Sequence, residues 1–228
     1  MMDSPSLVKS ILTALARLFS GILIIGLMFF WPAGTLRYWQ AWMWLVTLIF
    51  PMLLVLVYLA IRDPALLARR MNMNETRSTQ KRVIFSSVFV FLAIFLLPGF
   101  DVRFGWSNVP AWVCIAADGV VLAAYIFNFL VLKENSYASR TVEVQQGQQV
   151  ISTGPYAIVR HPMYLSMCLL TIFSPLALGS YWAVIPTFGL VILLAARIRN
   201  EEELLLNELA GYREYTQKTR HRLFPGLW

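Results

Sequence analysis

Residues 39–61, WQAWMWLVTLIFPMLLVLVYLAI, contain no charged side chain and are followed at once by Arg62. A run of this length meets the ~20 apolar residues an α-helix needs to cross a hydrocarbon core ~30 Å thick. Residues 111–132, AWVCIAADGVVLAAYIFNFLVL, form a second full-length span. Four shorter apolar blocks stand around these two, at 18–31, 83–97, 163–179 and 181–196. The first and third reach spanning length only with their flanks, such as 11–16 beyond Arg17. The last two are joined through Gly179-Ser180 with Pro175 just before, and are expected as a tight helical hairpin whose arms need not each cross.

Composition agrees with this reading. Of 228 residues, 58% are hydrophobic and only 14% charged, too few charges to coat a soluble domain of this size. Mean hydropathy is +0.63. The expected fold is all-α: a polytopic transmembrane helical bundle of about five to six membrane helices with a C-terminal helix. No repeat or low-complexity segment divides the chain, so residues 1–228 are expected to form a single membrane domain. Within it, 1–132 supply N-terminal transmembrane helices and 133–228 hold the two long polar stretches. The N-terminus lacks the basic stretch, short apolar core and cleavage site of a signal peptide, so the first block is read as a retained helix.

The net charge of +7 sits at the ends of apolar blocks. Lys9 and Arg17 precede the first; Arg62, Arg69, Arg70, Arg77, Lys81 and Arg82 crowd the second connection. Lys133, Arg140 and Arg160 occupy the fourth, and Arg197, Arg199, Arg213, Lys218, Arg220 and Arg222 follow the last block. The first and third connections hold only Arg37 and Arg103. This alternation predicts that both termini and the long connections are cytoplasmic, in a cell inner or plasma membrane contacting anionic lipids. Trp39, Trp42, Trp106 and Trp112 fit an interfacial belt at the other side. No basic, groove-reading face stands apart from the membrane blocks, which argues against nucleic acid. Cys114 and Cys168 lie inside apolar runs without ligand spacing, as buried small hydrophobes rather than a metal site or disulfide.

Two polar stretches carry the chemistry. In Gly154-Pro155-Tyr156-Ala157-Ile158-Val159-Arg160-His161-Pro162-Met163-Tyr164, an Arg-His-Pro triplet stands where a polar loop enters an apolar helix. Pro162 suits the first helical turn, where its missing N–H costs nothing. A helix start offers N–H groups and a positive dipole end to an anion, Arg160 adds a permanent charge, and Tyr156 and Tyr164 offer aromatic faces. The same residues also suit a basic interfacial anchor. In Arg197-Ile198-Arg199-Asn200-Glu201-Glu202-Glu203, Arg197 and Glu201 are four apart and share a helix face. The order Arg before Glu is the weaker one for a stabilising surface pair. A charged helix from Arg197 to about Leu209, held by Leu204, Leu205 and Leu209, is the alternative reading.

Together, Gly-Pro-Tyr156-x-x-x-Arg160-His161-Pro162-x-Tyr164, then Arg197-x-x-x-Glu201-Glu202 and Tyr212-x-x-Tyr215, resemble the isoprenylcysteine carboxyl methyltransferase family over about residues 132–228. The resemblance implies that 133–228 is the cofactor-binding and catalytic portion, with S-adenosyl-L-methionine as cofactor in a pocket on the cytoplasmic face, contacted by Tyr156, Arg160, His161, Pro162, Met163, Tyr164 and Glu201. It extends the cofactor contacts to Gln148, Gln149, Val150 and Ile151, and more weakly to Thr141. It implies Arg197, Glu201 and Glu202 as catalytic residues, Arg197 holding the acceptor carboxylate, and no metal. The implied reaction is carboxyl O-methylation of an isoprenylcysteine-like or other lipophilic acid, the acceptor being a lipophilic small molecule or lipidated partner. Lipid N-methylation is the alternative, with Glu202 as candidate base, followed by an NADPH-dependent sterol-reductase-like enzyme. A non-catalytic scaffold or transporter is a further alternative.

Overall fold

The computed structural model describes residues 4–71, 78–138 and 144–228. Arg77, Arg140 and Thr141 therefore lie outside the described residues. The fold is all-helical, 77% helix, with no strand among the described residues. Its helices are α1 (Ser4–Ala33), α2 (Trp39–Arg62), α3 (Pro64–Met71), α4 (Ser78–Phe104), α5 (Ala111–Glu134), α6 (Pro162–Ala177), α7 (Ile185–Glu208) and α8 (Tyr212–Lys218). Short 3-10 turns cover Gly154–Ala157 and Trp182–Val184.

Five segments are long and apolar enough to cross a membrane: Leu7–Ala33, Trp39–Arg62, Arg82–Phe104, Ala111–Glu134 and Trp182–Glu208. α6, with 16 residues, is only about 24 Å long at 1.5 Å per residue. Its far end is nevertheless tied to the start of α2. Tyr38 Oη donates to Leu178 O at 2.5 Å and Trp44 Nε1 to Ser174 Oγ at 2.9 Å.

Three boundaries differ from the sequence reading. The first helix is longer than its apolar block because Arg17 does not interrupt it; its Nη1 donates to Met71 O at 2.8 Å, at the end of α3. α3 itself was not expected. Asp63 Oδ1 accepts from Leu66 N at 2.9 Å and Pro64 occupies the first turn, a start signal that the charge-rich connection concealed. The third difference matters most for the site. The last apolar block and the charged helix after it are one continuous helix, α7. No Pro or Gly occurs between residues 190 and 208, so nothing removes a backbone hydrogen bond or favours a turn there.

α5 packs along α6, α1 along α4, and α4 along α7. At the α1–α4 crossing, a Cβ on Gly99 would meet Phe29 O at 2.6 Å; only glycine admits that approach. At the end of the bundle away from α3 and α8, buried Asp101 accepts from Ser107 N (2.6 Å), Ser107 Oγ (2.7 Å) and Ser180 Oγ. That carboxylate joins the α4–α5 and α6–α7 connections. At the opposite end lie the α5–α6 connection, α8 and residues 219–228, and there the polar cleft opens.

Candidate active site

The cleft is built where α6 begins. Arg160 N donates to His221 O and His161 N to Arg222 O, both at 2.9 Å. The returning C-terminal segment thus pairs with the two residues ahead of Pro162. Arg160 Nη1 reaches Thr219 O at 2.9 Å and Arg220 O at 2.8 Å, while its Nε stands 2.6 Å from Glu202 Oε1. Glu202 is buried; His161 Nε2 lies 3.3 Å from the same oxygen, and Arg222 Nε lies 2.5 Å from Oε2. One carboxylate from α7 therefore gathers three basic side chains. Its environment satisfies the requirement that a buried charge be paired and hydrogen-bonded.

The neighbouring carboxylate is placed differently. Glu201 Oε2 accepts from Tyr164 Oη at 2.5 Å, and the same Oη accepts from Arg197 Nε at 2.8 Å. The Tyr164 hydroxyl therefore bridges two residues of opposite charge one turn apart on α7. The Arg197 guanidinium carbon lies 5.9 Å from the centroid of the Tyr164 ring, and the His161 ring packs 5.7 Å from that ring.

Across the cleft, the α5–α6 connection is held by amide and hydroxyl contacts. Asn135 Nδ2 donates to Tyr156 Oη at 2.8 Å, and Tyr156 O accepts from Tyr215 Oη at 2.7 Å. Gln145 N donates to Gln148 Oε1 and Gln145 Nε2 to Tyr137 O, both at 2.9 Å. Burial pushes the Tyr156 phenol up to about 12, against a smaller lowering by the Asn135 bond. Burial likewise raises Tyr212 and Tyr215, so these phenols act as neutral hydrogen-bonding groups.

Gln148, Gln149, Val150 and Ile151 form one wall of this cleft; Tyr156, Arg160, His161, Pro162, Met163 and Tyr164 form its floor, and Arg197 and Glu201 face them from α7. Of the residues singled out from the sequence, Glu202 does not line it. Others not singled out as site residues do: Asn135, Tyr137 and Ala138 just beyond α5, Leu204 and Leu205 from α7, Leu209 just past its end, and Tyr212 and Tyr215 from α8. The Tyr-x-x-Tyr spacing was visible, since i and i+3 share a helix face. Their reach into the cleft depends on the turn at Gly211, φ +82°, a left-handed conformation that glycine adopts without penalty. Among the described residues there is no group of three or more His, Cys, Asp or Glu able to hold a metal.

The site joins an acid and a guanidinium on one helix face with aromatic, amide and apolar side chains around them. That set suits a small charged molecule with a ring system. Residues 114–207, from within α5 to the end of α7, match the model of the Isoprenylcysteine carboxyl methyltransferase (ICMT) family. The match covers 94 of the 228 residues, less than half of the chain, and is a similarity to that family. It begins earlier than the motif resemblance and stops before α8. No curated protein matches the chain.

Proposed function

We propose, from the match of residues 114–207 to the isoprenylcysteine carboxyl methyltransferase family, that this chain is an S-adenosyl-L-methionine-dependent membrane methyltransferase that methylates the carboxylate of an isoprenylcysteine-like or other lipophilic acid. The observation that carries the reading is the Tyr164 hydroxyl between Arg197 and Glu201. It sets an anion-binding and a cation-binding group side by side at one end of an apolar bundle.

The residues present fit the cofactor: Glu201 complements an ammonium, Gln148, Gln149 and Asn135 offer amide donors and acceptors, and Tyr156 offers a ring. When bound, the cofactor supplies an electrophilic methyl group on a sulfonium. The chain's own contribution is positioning, which is worth ~7–11 kcal/mol when reactants are held near attack. Arg197 orients an acceptor carboxylate; Tyr164 fixes Arg197 through Nε and Glu201 through Oε2. A carboxylate with a pKa of about 3.3–3.7 is already ionised at neutral pH, so no general base is needed. The apolar walls from Leu204, Leu205 and Met163 keep water from that oxygen.

The position of Glu202 favours this over N-methylation. An amine acceptor arrives as an ammonium and needs a base. Glu202, the candidate, lies outside the cleft and is occupied by Arg160, His161 and Arg222. On this reading the cleft faces the cytoplasm, because the basic connections flank the same end of the bundle, and the acceptor enters from the lipid.

The acceptor class is tested by methyl transfer from radiolabelled cofactor to lipid extracts, followed by mild base. Volatile label released by base is expected, as from an ester; label that stays bound, as in a methylamine, would overturn the carboxylate assignment.

A further inference from the structure

Tyr212 opens α8 and is 4% exposed, yet its hydroxyl has no hydrogen-bond partner among the described residues. The side chain lines the cleft. Its ring is fixed on both sides: it packs against Leu209 and Tyr215 in one cluster, with the Tyr215 ring centroid 5.7 Å away. Every other tyrosine described above in this cleft has its hydroxyl paired: Tyr137 with Gly147 O, Tyr156 with Asn135, Tyr164 with Glu201 and Arg197, and Tyr215 with Tyr156 O. Buried hydroxyls are normally satisfied, because leaving one unpaired forfeits its hydrogen bonds to water. An orphan hydroxyl on a cleft wall points to a partner supplied by what the cleft binds.

The neighbours of Tyr212 say which part of that molecule it meets. Tyr212 shares the cleft lining with Arg160, Arg197 and Glu201, and Glu201, Glu202 and Arg160 are all within electrostatic reach of the phenol, so its hydroxyl stands among charged groups. We propose that Tyr212 is a ligand-contacting residue, its Oη hydrogen-bonding the charged amino-acid end of a sulfonium nucleoside. This rests on the reading of the cleft as the methyl donor's site.

The test uses the full-length protein and its Tyr212→Phe variant in detergent, by titration calorimetry and thermal unfolding. Three probes are compared: S-adenosylmethionine, S-adenosylhomocysteine, and methylthioadenosine, which lacks the amino-acid end. Phenylalanine keeps the ring packing and removes an unpartnered hydroxyl, so the unliganded variant is expected to melt no lower than wild type. Its affinity for the first two probes should fall roughly tenfold, with smaller ligand-induced thermal shifts, while methylthioadenosine binds both proteins alike. Unchanged affinity for all three overturns the contact. An equal loss for methylthioadenosine overturns its assignment to the amino-acid end. A wild-type protein that binds none of the three sinks this contact together with the functional reading beneath it, whereas wild-type binding with an unaffected variant sinks the contact alone.

Discussion

Arg160 and Glu202, 42 residues apart in sequence, form a buried ion pair with Nε 2.6 Å from Oε1. Arg160 stands one residue ahead of the α6 N-cap and Glu202 on the last turns of α7, so the pair fixes the floor of the cleft to its facing wall. Arg222 closes on the other carboxylate oxygen and draws the C-terminal segment over both. The relationship is architectural: it holds Arg160, His161 and Pro162 where they line the cleft, while Glu202 stays outside it.

Removing that carboxylate leaves buried Arg160 without its counter-charge. Loss of one partner of a buried pair costs about 3–5 kcal/mol. Glu202→Ala should therefore unfold at markedly lower temperature or denaturant than wild type, while Glu203→Ala, at an exposed position of the same helix, should not. Equal melting of the two variants would show that the network contributes nothing to the fold.

The α1–α4 crossing gives a test independent of function. Gly99→Ala would push a Cβ against Phe29 O at 2.6 Å, backbone that yields only by moving a helix, with a cost of about 1–3 kcal/mol. Gly119→Ala on α5 meets nothing within 4 Å and should be neutral or stabilising by up to ~1 kcal/mol. Thermal unfolding of the pair in detergent reads the difference; a Gly99→Ala protein as stable as Gly119→Ala would contradict the close approach.

Tyr164→Phe removes the hydroxyl that bridges Arg197 and Glu201 and keeps the ring. Hydrogen bonds to charged groups are worth about 1.5–3 kcal/mol, so kcat/KM should fall about ten- to a hundredfold. The variant should remain folded, since the ring still packs with Cys168, Leu194 and Ile198. Wild-type kinetics would mean that Arg197 and Glu201 hold their positions without the bridge.

The membrane bundle was legible because an uninterrupted apolar run such as 39–61 has few other uses. The start of α6 was legible for a local reason too: Arg160-His161-Pro162 places a proline where a helix can begin. What escaped the sequence depends on distance along the chain. Glu201 and Glu202 are adjacent and chemically identical, but successive helical residues point about 100° apart, so one meets Tyr164 and the other turns inward. Nothing local announces that choice; it is made by Arg160 and by Arg222 returning from the C-terminal segment. The wall formed by Tyr212 and Tyr215 likewise needed the turn at Gly211, whose direction no periodicity reveals. α3 escaped for the same reason, since its end is held by Arg17 of the first helix, 54 residues away.

The most direct test of the central claim is titration calorimetry of the detergent-solubilised protein with S-adenosylmethionine, S-adenosylhomocysteine and NADPH. Saturable binding of the first two, weakened by Glu201→Ala, and no heat from NADPH is the predicted result. Saturable binding of NADPH with neither adenosyl compound would contradict the assignment of this cleft to a methyl donor.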